Sequence, residues 1–227
     1  MQIFGAGLAG CIAAHVFPEA TIYEAAPQPV QNHHALLRFK SDSISKVVGI
    51  PFKKVDIQKM IWFEGKEVPP SARMNSLYSM KVAGKYLHRS ISKMSNDVRF
   101  IAPNDFHMQL QERLKKRIEY GVMVTSDSFH DMDKSKPTIS TLPIGLMKNI
   151  VSNTQIVKLS NDNRKIHVLN ATVDNCDMYL TCYYPDKYND VYRASVTGSK
   201  LIVEAMSEIT ENLMVDVLTS LGLNAHD

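Results

Sequence analysis

Three glycines near the start of the chain have the spacing of a phosphate-binding loop. Gly5, Gly7 and Gly10 form the pattern Gly-x-Gly-x-x-Gly, and Glu24 follows 19 positions after Gly5. In such a pattern the first glycine permits a tight turn, the second lets a pyrophosphate approach the backbone, and the third lets the helix pack close to the strand. The helix start offers unpaired N–H groups and partial positive charge to the phosphates. Glu24 can accept hydrogen bonds from ribose hydroxyls, and its charge repels the additional phosphate of NADP.

The flanking residues predict the strand, helix and second strand that such a loop requires. Gln2–Phe4 is short and apolar enough for a buried strand, Cys11–Phe17 has no helix breaker until Pro18, and Ala20–Tyr23 is a β-prone run that ends at Glu24. A chance cluster of glycines at a helix start is the alternative, and these flanks make it less favoured. The sequence therefore predicts a dinucleotide cradle formed by Gly5, Ala6, Gly7, Leu8, Ala9, Gly10 and Glu24.

The chain after Glu24 does not continue in the immediate alternation of helices and parallel strands that a nicotinamide-binding domain has. Short strands are predicted at Pro51–Val55 and Met60–Phe63, and candidate parallel strands return only at Gly121–Thr125 and Thr138–Leu142. Such an interruption is typical of flavoproteins and favours FAD over NAD. The predicted fold class is α/β: a Rossmann-like FAD-binding domain interrupted by an inserted mixed α+β substrate domain with an antiparallel sheet.

Residue patterns in the rest of the chain predict the other elements. Strands of the antiparallel sheet are predicted at Gln155–Leu159, Lys165–Ala171, Met178–Tyr183, Tyr192–Val196 and Lys200–Ala205. Helices are predicted at Pro103–Arg117, Leu142–Ile150 and Val203–Leu221. We assign residues 1–34 with 100–150 to the FAD-binding domain, 35–99 with 151–203 to the inserted domain, and 204–227 to a C-terminal helix.

Four stretches resemble a known family: IFGAGLAGCIAA…TIYEA, HHALLRFKSDSISKVVGIPFKKV, RFIAPNDFHMQL and PTISTLP. Together they are similar to small FAD/NAD(P)-binding oxidoreductases, many encoded by bacteriophages, which are distantly similar to UDP-galactopyranose mutase and amine-oxidase-like flavoproteins. The resemblance implies FAD as the cofactor, with the three glycines at its pyrophosphate and Glu24 at its adenosine ribose. It further implies Arg38 at the ribose or pyrophosphate. The segment Thr138–Pro143 would be the returning strand beside the cofactor, with Thr141, Leu142 and Pro143 as cofactor-binding residues.

The end of the chain departs from this family pattern. Such proteins continue to a last strand and a glycine-containing turn that closes over the flavin, and we find no such segment before Asp227. We expect a second polypeptide to supply it. A truncated chain, or a protein with incomplete cofactor binding and another role, are the alternatives.

Flavin chemistry requires few protein side chains, so the catalytic candidates are few. His33 and His34, in the loop after the Glu24 strand, can contact the flavin ring or polarise a substrate; a surface role is the alternative. A pocket for an anionic or aromatic substrate can be lined by Trp62, Tyr183, Tyr192 and Arg193, with core packing as the alternative. No spacing indicates a metal site.

Composition limits the class of protein. The chain has 227 residues, of which 44% are hydrophobic, and no stretch of about 18 apolar residues, so we expect no membrane span. The net charge of +3 is too small to argue by itself for direct nucleic-acid binding. Three cysteines without metal spacing, and no secretory signal, predict a cytoplasmic protein, in the host cytoplasm if phage-encoded.

Three functions fit these observations. The first is an FAD-dependent oxidoreductase that oxidises an amine or alcohol of a small molecule or modified nucleotide. This enzyme acts either alone or as one subunit of a split enzyme. The second is a non-redox flavoenzyme like the mutase, acting on a nucleotide sugar. The third is a subunit that binds a dinucleotide without catalysis.

Overall fold

The computed structural model describes residues 1–29, 37–87, 91, 97–132, 135–151, 165–174 and 178–223. The chain divides into two compact units, the first comprising Met1–Lys54 with Phe100–Asp162 and the second Val55–Arg99 with Asn163–Asp227. The chain therefore passes from one unit to the other three times. The domain boundaries assigned from the sequence stay a prediction.

The first set of elements belongs to the first unit or crosses between the two units. The first set comprises β1 (Gln2–Phe4), α1 (Leu8–Val16), β2 (Thr21–Glu24), β3 (Arg38–Phe39), α2 (Ser43–Val48), β4 (Lys53–Phe63), β6 (Asp97–Ile101), α4 (Phe106–Leu114), β7 (Ile118–Tyr120), α5 (Ser126–Asp131), β8 (Thr138–Ser140) and α6 (Ile144–Ile150). The second unit holds most of β4, and β5 (Lys66–Glu67), α3 (Ala72–Ala83), β9 (His167–Thr172), β10 (Tyr179–Tyr183), β11 (Val191–Thr197), β12 (Lys200–Ala205) and α7 (Glu211–Leu221).

The first unit contains a parallel sheet with strand order β7-β2-β1-β8. The apolar residues of these strands form the core of this unit. Ile3, Ile22 and Ile118 are buried in one cluster, together with α1 and with Phe106 and Leu110 of α4. All four strands run in the same direction, so the residues that follow each strand meet at a single edge of this sheet.

The second unit contains a mixed sheet in which β4, β10, β11, β12 and β9 are neighbours in that order. β10 through β9 pair antiparallel, whereas β4 pairs parallel to β10. One face packs against α7 through Val217 and Leu221, and the opposite face packs against α3 through Met74 and Tyr78. The middle strand β11 is consequently buried on both sides.

The opening strand, helix and strand predicted from the sequence are confirmed, and α1 begins three residues earlier than predicted. Gly121–Thr125 is not a strand: β7 ends at Tyr120, because Gly121 turns the chain with φ +74°. The two short strands predicted within residues 51–63 are one strand, β4.

Two other sequence predictions differ from the structure or fall beyond it. The helix predicted over Val203–Leu221 begins only at Glu211, because Val203 and Ala205 complete β12. The strand predicted at Gln155–Leu159 lies outside the described residues. The helices α2, α3 and α5 were not predicted.

Candidate functional site

The carboxyl edge of the parallel sheet in the first unit gathers the predicted cofactor residues. Gly5 follows β1, Glu24 ends β2, Gly121 follows β7, and Thr141 follows β8. In open α/β sheets, ligands bind at this edge. The chain therefore places the predicted cradle where this class of fold has its binding crevice.

Gly5 and Gly10 bring β1 and α1 too close together for any side chain. Gly5 has φ +92°, a backbone conformation that side chains rarely adopt, and a Cβ there would lie 2.9 Å from Thr141 Oγ1. A Cβ on Gly10 would lie 1.9 Å from the Gly5 carbonyl oxygen. Thr141 closes the same corner, because its Oγ1 donates to the Phe4 carbonyl oxygen at 2.8 Å. These two glycines are thus required by the fold itself.

Gly7 differs from both of the other glycines. It is exposed at the N-cap of α1 with φ −65°, and no heavy atom lies within 4 Å of the position that its Cβ would occupy. Packing within the fold therefore does not require glycine at this position, and the main chain here is open to solvent. Leu8 and Ala9 form the first turn of α1, whose N–H groups have no acceptor within the helix.

Glu24 connects the second strand to this loop. Its Oε2 accepts a hydrogen bond from the Ala6 N–H at 2.7 Å, and its Oε1 accepts one from the Ala26 N–H at 2.9 Å. A carboxylate has about four lone-pair sites, so each oxygen keeps capacity for a ribose hydroxyl. Glu24 therefore holds the loop and remains able to bind a ligand.

The Ala6 carbonyl oxygen accepts hydrogen bonds on the other side of the loop. Cys11 Sγ lies 3.2 Å from it, His107 Nε2 3.0 Å and Gln111 Nε2 3.4 Å. Burial, reinforced by the charge of Glu24, raises the pKa of the Cys11 thiol to about 12, so this thiol stays protonated and donates. The Ala6 peptide groups are consequently held from both sides.

An apolar pocket of about 300 Å³ opens beside the loop. Its walls come from the ends of all four strands of the sheet, with Phe4 and Gly5 at β1, Tyr23 and Ala25 at β2, Val122–Ser126 after β7, and Leu142 and Leu146 after β8. Pocket size and apolar walls suit a flat aromatic base. Leu142 is thus part of this pocket, and Pro143 is the N-cap of α6.

Arg38 is described in another sheet, and the two histidine candidates cannot be placed. Arg38 lies in β3, which pairs antiparallel with β6 so that Arg38 faces Ile101. His33 and His34 lie outside the described residues.

The predicted substrate residues are divided between the two faces of the sheet in the second unit. Tyr183 and Tyr192 pack on the face covered by α3, where Tyr183 meets Tyr78 edge-on at 5.4 Å between ring centroids. Trp62 packs on the face covered by α7. The structure therefore does not bring Trp62 together with the two tyrosines.

A β-bulge places Tyr192 and Arg193 on the same side of β11. The register shifts between Val191 and Arg193, so that both Tyr192 and Arg193 oppose Glu204 of β12. Arg193 binds the Glu204 carboxylate through Nε and, at 2.6 Å, through Nη2, while the Tyr192 hydroxyl donates to it at 3.2 Å. The charge of Arg193 is thereby balanced within the chain.

Sequence reasoning missed the residues that act on this loop from a distance. His107 and Gln111 belong to no motif, although their spacing of four positions in a predicted helix places both on one face. The residues after β7 were predicted as a strand, and they are instead a wall of the pocket.

Among the described residues, no group of three or more His, Cys, Asp or Glu is placed to hold a metal. The helices of the described part of the chain are all too short or too polar to span a bilayer.

Comparisons with known proteins agree with this architecture. No protein-family model and no curated protein sequence match the chain. The solved structure of reduced UDP-galactopyranose mutase matches with a TM-score of 0.64 and 13% sequence identity, over 100% of this chain and 80% of that chain. At such a low identity the structural match establishes the fold alone. It confirms the predicted α/β class with a Rossmann-like unit.

Two other solved structures match less well. A variant of MHPCO has a TM-score of 0.48 and 12% identity, over 91% of this chain and 58% of that chain. A Photorhabdus luminescens subsp. laumondii TTO1 protein, whose proposed identity is an FAD containing monooxygenase, has a TM-score of 0.47 and 10% identity, over 99% and 70% of the respective chains. Both scores are below 0.5, so neither of these two matches bears on the fold.

Proposed function

We propose that this chain is a flavoenzyme that binds FAD through its first unit and belongs to the oxidoreductases. One observation carries the proposal. Of the three glycines in the loop, two are enforced by close contacts within the fold, and Gly7 is left open at the start of α1. A glycine that the fold does not need, at a helix start that can bind an anion, is explained by a ligand that touches the backbone.

The residues around the loop suit the parts of a dinucleotide. The first-turn N–H groups of α1 face the pyrophosphate, whose charge the helix start stabilises. Glu24 accepts from the hydroxyls of the adenosine ribose. The apolar pocket between Tyr23, Val122 and Leu142 accommodates a flat base. These residues bind and orient the cofactor, and none of them is required for proton transfer.

The chain organisation favours FAD over NAD. A nicotinamide-binding domain is built from consecutive strands and helices, whereas this chain leaves its first unit at Lys54 and returns at Phe100. A bound flavin supplies hydride acceptance. We propose an amine or alcohol of a small molecule or modified nucleotide as the group oxidised.

The test is to measure FAD affinity for the wild type, for Gly7→Val and for Ala72→Val. Ala72 is exposed in the first turn of α3, so this control places a valine at a helix start outside the cradle. We expect Gly7→Val to raise the Kd by at least about 100-fold, because its side chain occupies the place of the pyrophosphate. Ala72→Val should bind as the wild type does.

Equal FAD affinity of Gly7→Val and wild type contradicts the assignment of the loop. Tight binding of NAD with no binding of FAD contradicts the cofactor. FAD that is bound but never reduced by any amine or alcohol contradicts the oxidoreductase class and favours a binding subunit.

A second candidate is a non-redox flavoenzyme that acts on a nucleotide sugar. The fold shared with UDP-galactopyranose mutase over the whole of this chain favours it as the second candidate. The two candidates differ in a simple assay. Turnover of a nucleotide sugar only after chemical reduction of the flavoprotein, with no net oxidation of substrate, supports the mutase-like activity and contradicts the oxidase.

A further inference from the structure

The Ala6 carbonyl oxygen has an unusual number of donors. A carbonyl oxygen has two lone pairs, yet three side-chain donors lie within hydrogen-bonding distance of this one: Cys11 Sγ, His107 Nε2 and Gln111 Nε2. Ala6 itself is 2% exposed. Because the carbonyl can only accept, His107 must carry a proton on Nε2.

The orientation of the Gln111 side chain is a second observation that favours a role in holding the Ala6 carbonyl. Its side chain is buried, and its Oε1 has no hydrogen-bond partner among the described residues. An unsatisfied buried acceptor is costly. The reverse orientation of the amide would set Oε1 against the Ala6 oxygen, so the observed orientation keeps the bond to Ala6 at the expense of Oε1.

The geometry of the peptide bond transmits this constraint to Gly7. The described residues contain no cis peptide bond, and in a trans peptide the C=O and the following N–H point in opposite directions. A carbonyl of Ala6 held toward α4 therefore turns the Gly7 N–H away from α4. Gly7 is exposed, and no heavy atom lies within 4 Å of the position that its Cβ would occupy, so a ligand can approach this residue.

This peptide would otherwise be easy to rotate. Glycine allows conformations on both sides of the Ramachandran map, so nothing in Gly7 itself prevents the Ala6–Gly7 peptide from flipping. A flipped peptide would present a carbonyl oxygen, rather than an N–H, to a phosphate. Glu24 fixes only the preceding peptide, through the Ala6 N–H.

We propose that His107 and Gln111 are positioning residues that hold the Ala6–Gly7 peptide with its N–H directed at the pyrophosphate of the bound dinucleotide. The proposal rests on the proposed function for the ligand, although the orientation of the peptide can be measured without it. It assigns to α4, about a hundred residues from the glycine loop, control of the dipole that the loop offers to an anion.

The test compares two donor-deleting variants with two matched controls. His107→Phe keeps an aromatic ring, and Gln111→Leu keeps a side chain of similar size. Each substitution removes one hydrogen-bond donor to the Ala6 carbonyl oxygen. His130→Phe changes an exposed ring on α5, and Gln109→Leu changes the same residue type on the same helix, where Gln109 contacts Asp105 instead.

Affinity for FAD is the first measurement. We expect the Kd to rise about fivefold for each donor-deleting variant, the effect of about one hydrogen bond, and to stay within twofold of wild type for the controls. His107→Gln, which keeps an N–H donor, should recover most of the affinity. Unchanged affinity in both donor-deleting variants overturns the proposal.

The Gly7 amide signal in FAD-free protein labelled with ¹⁵N-glycine is the second measurement. The chain has 10 glycines, and loss of one peak in Gly7→Ala assigns the signal. We expect this signal to shift in His107→Phe and Gln111→Leu but not in the controls; an unmoved signal in Gln111→Leu overturns the proposal even if His107→Phe does not fold. If the wild type binds no FAD, the proposed function is contradicted. The shift of the Gly7 signal still reports whether His107 and Gln111 hold the Ala6–Gly7 peptide.

Discussion

Two single-methyl substitutions in the glycine loop should have different effects on the stability of the protein. Gly10→Ala should destabilise the protein, since its Cβ would lie 1.9 Å from the Gly5 oxygen and 3.1 Å from Thr141 Oγ1. Gly7→Ala should leave the fold unchanged, because no atom lies within 4 Å of its Cβ and its φ of −65° suits any residue. The same chemical change thus separates a glycine that packing requires from one that a ligand requires.

The expected cost at Gly10 follows from the distance. The backbone of α1 and of the loop after β1 would have to separate by about 1 Å, and overpacking of this kind costs about 3 kcal/mol, at the upper end of the usual range, because neither backbone atom can move aside. Alanine is favoured over glycine within a helix by about 1 kcal/mol. The net loss is about 2 kcal/mol, which for a chain of this size lowers the Tm by about 4–8 °C.

Thermal melting of the FAD-free proteins by circular dichroism is the assay. Gly10→Ala should melt at least about 4 °C below wild type and Gly7→Ala within about 2 °C of it. If Gly10→Ala melts as the wild type does, or if Gly7→Ala loses as much stability as Gly10→Ala, the account of the loop is wrong.

Three further predictions concern other groups. Lys81→Met should cost about 2 kcal/mol in urea unfolding, because the three N–H donors of Lys81 Nζ lie within hydrogen-bonding distance of four main-chain carbonyl oxygens, from Tyr184 after β10 to Val191 at the start of β11. Burial lowers the pKa of Lys81 from 10.5 to about 8, so from pH 8 to 10.5 the folded state binds fewer protons; wild-type stability relative to Lys81→Met should rise across this window, and a fall would contradict it. Burial raises the pKa of Cys11 to about 12 and that of Cys182 to about 11, so mass spectrometry should find both unmodified by iodoacetamide at pH 8 in the native protein; rapid labelling would refute their burial. Arg193→Met should destabilise more than Glu204→Gln in urea, because the first leaves a carboxylate that is 13% exposed and the second leaves a guanidinium that is 42% exposed; the reverse order would contradict the pairing.

Local patterns allowed the cradle to be predicted from the sequence. The strand, the three glycines, the helix and Glu24 lie within 24 consecutive residues, and each has a separate physical requirement. The sequence alone does not separate the roles of the glycines. Gly10 is required by packing because the Gly5 oxygen and Thr141 Oγ1 lie close to it, whereas Gly7 has no such neighbours. Thr141 reaches this corner because β8 pairs with β1.

Contacts between distant segments were beyond prediction. Trp62 and Tyr183 were grouped by residue type, but the register of β4 against β10 pairs Ile61 with Tyr183 and so turns Trp62 to the other face. Arg193 was expected to meet an anionic substrate, and an irregularity of one residue in β11 sets it against Glu204 instead. Neither register nor bulge leaves a mark in a single sequence.

The most direct test of the central claim is a crystal structure of the protein with FAD. The account predicts pyrophosphate oxygens within hydrogen-bonding distance of the main-chain N–H groups of Gly7 and Leu8, and the adenosine ribose at Glu24. A pyrophosphate bound elsewhere on the chain, with these amides left to solvent, would contradict it.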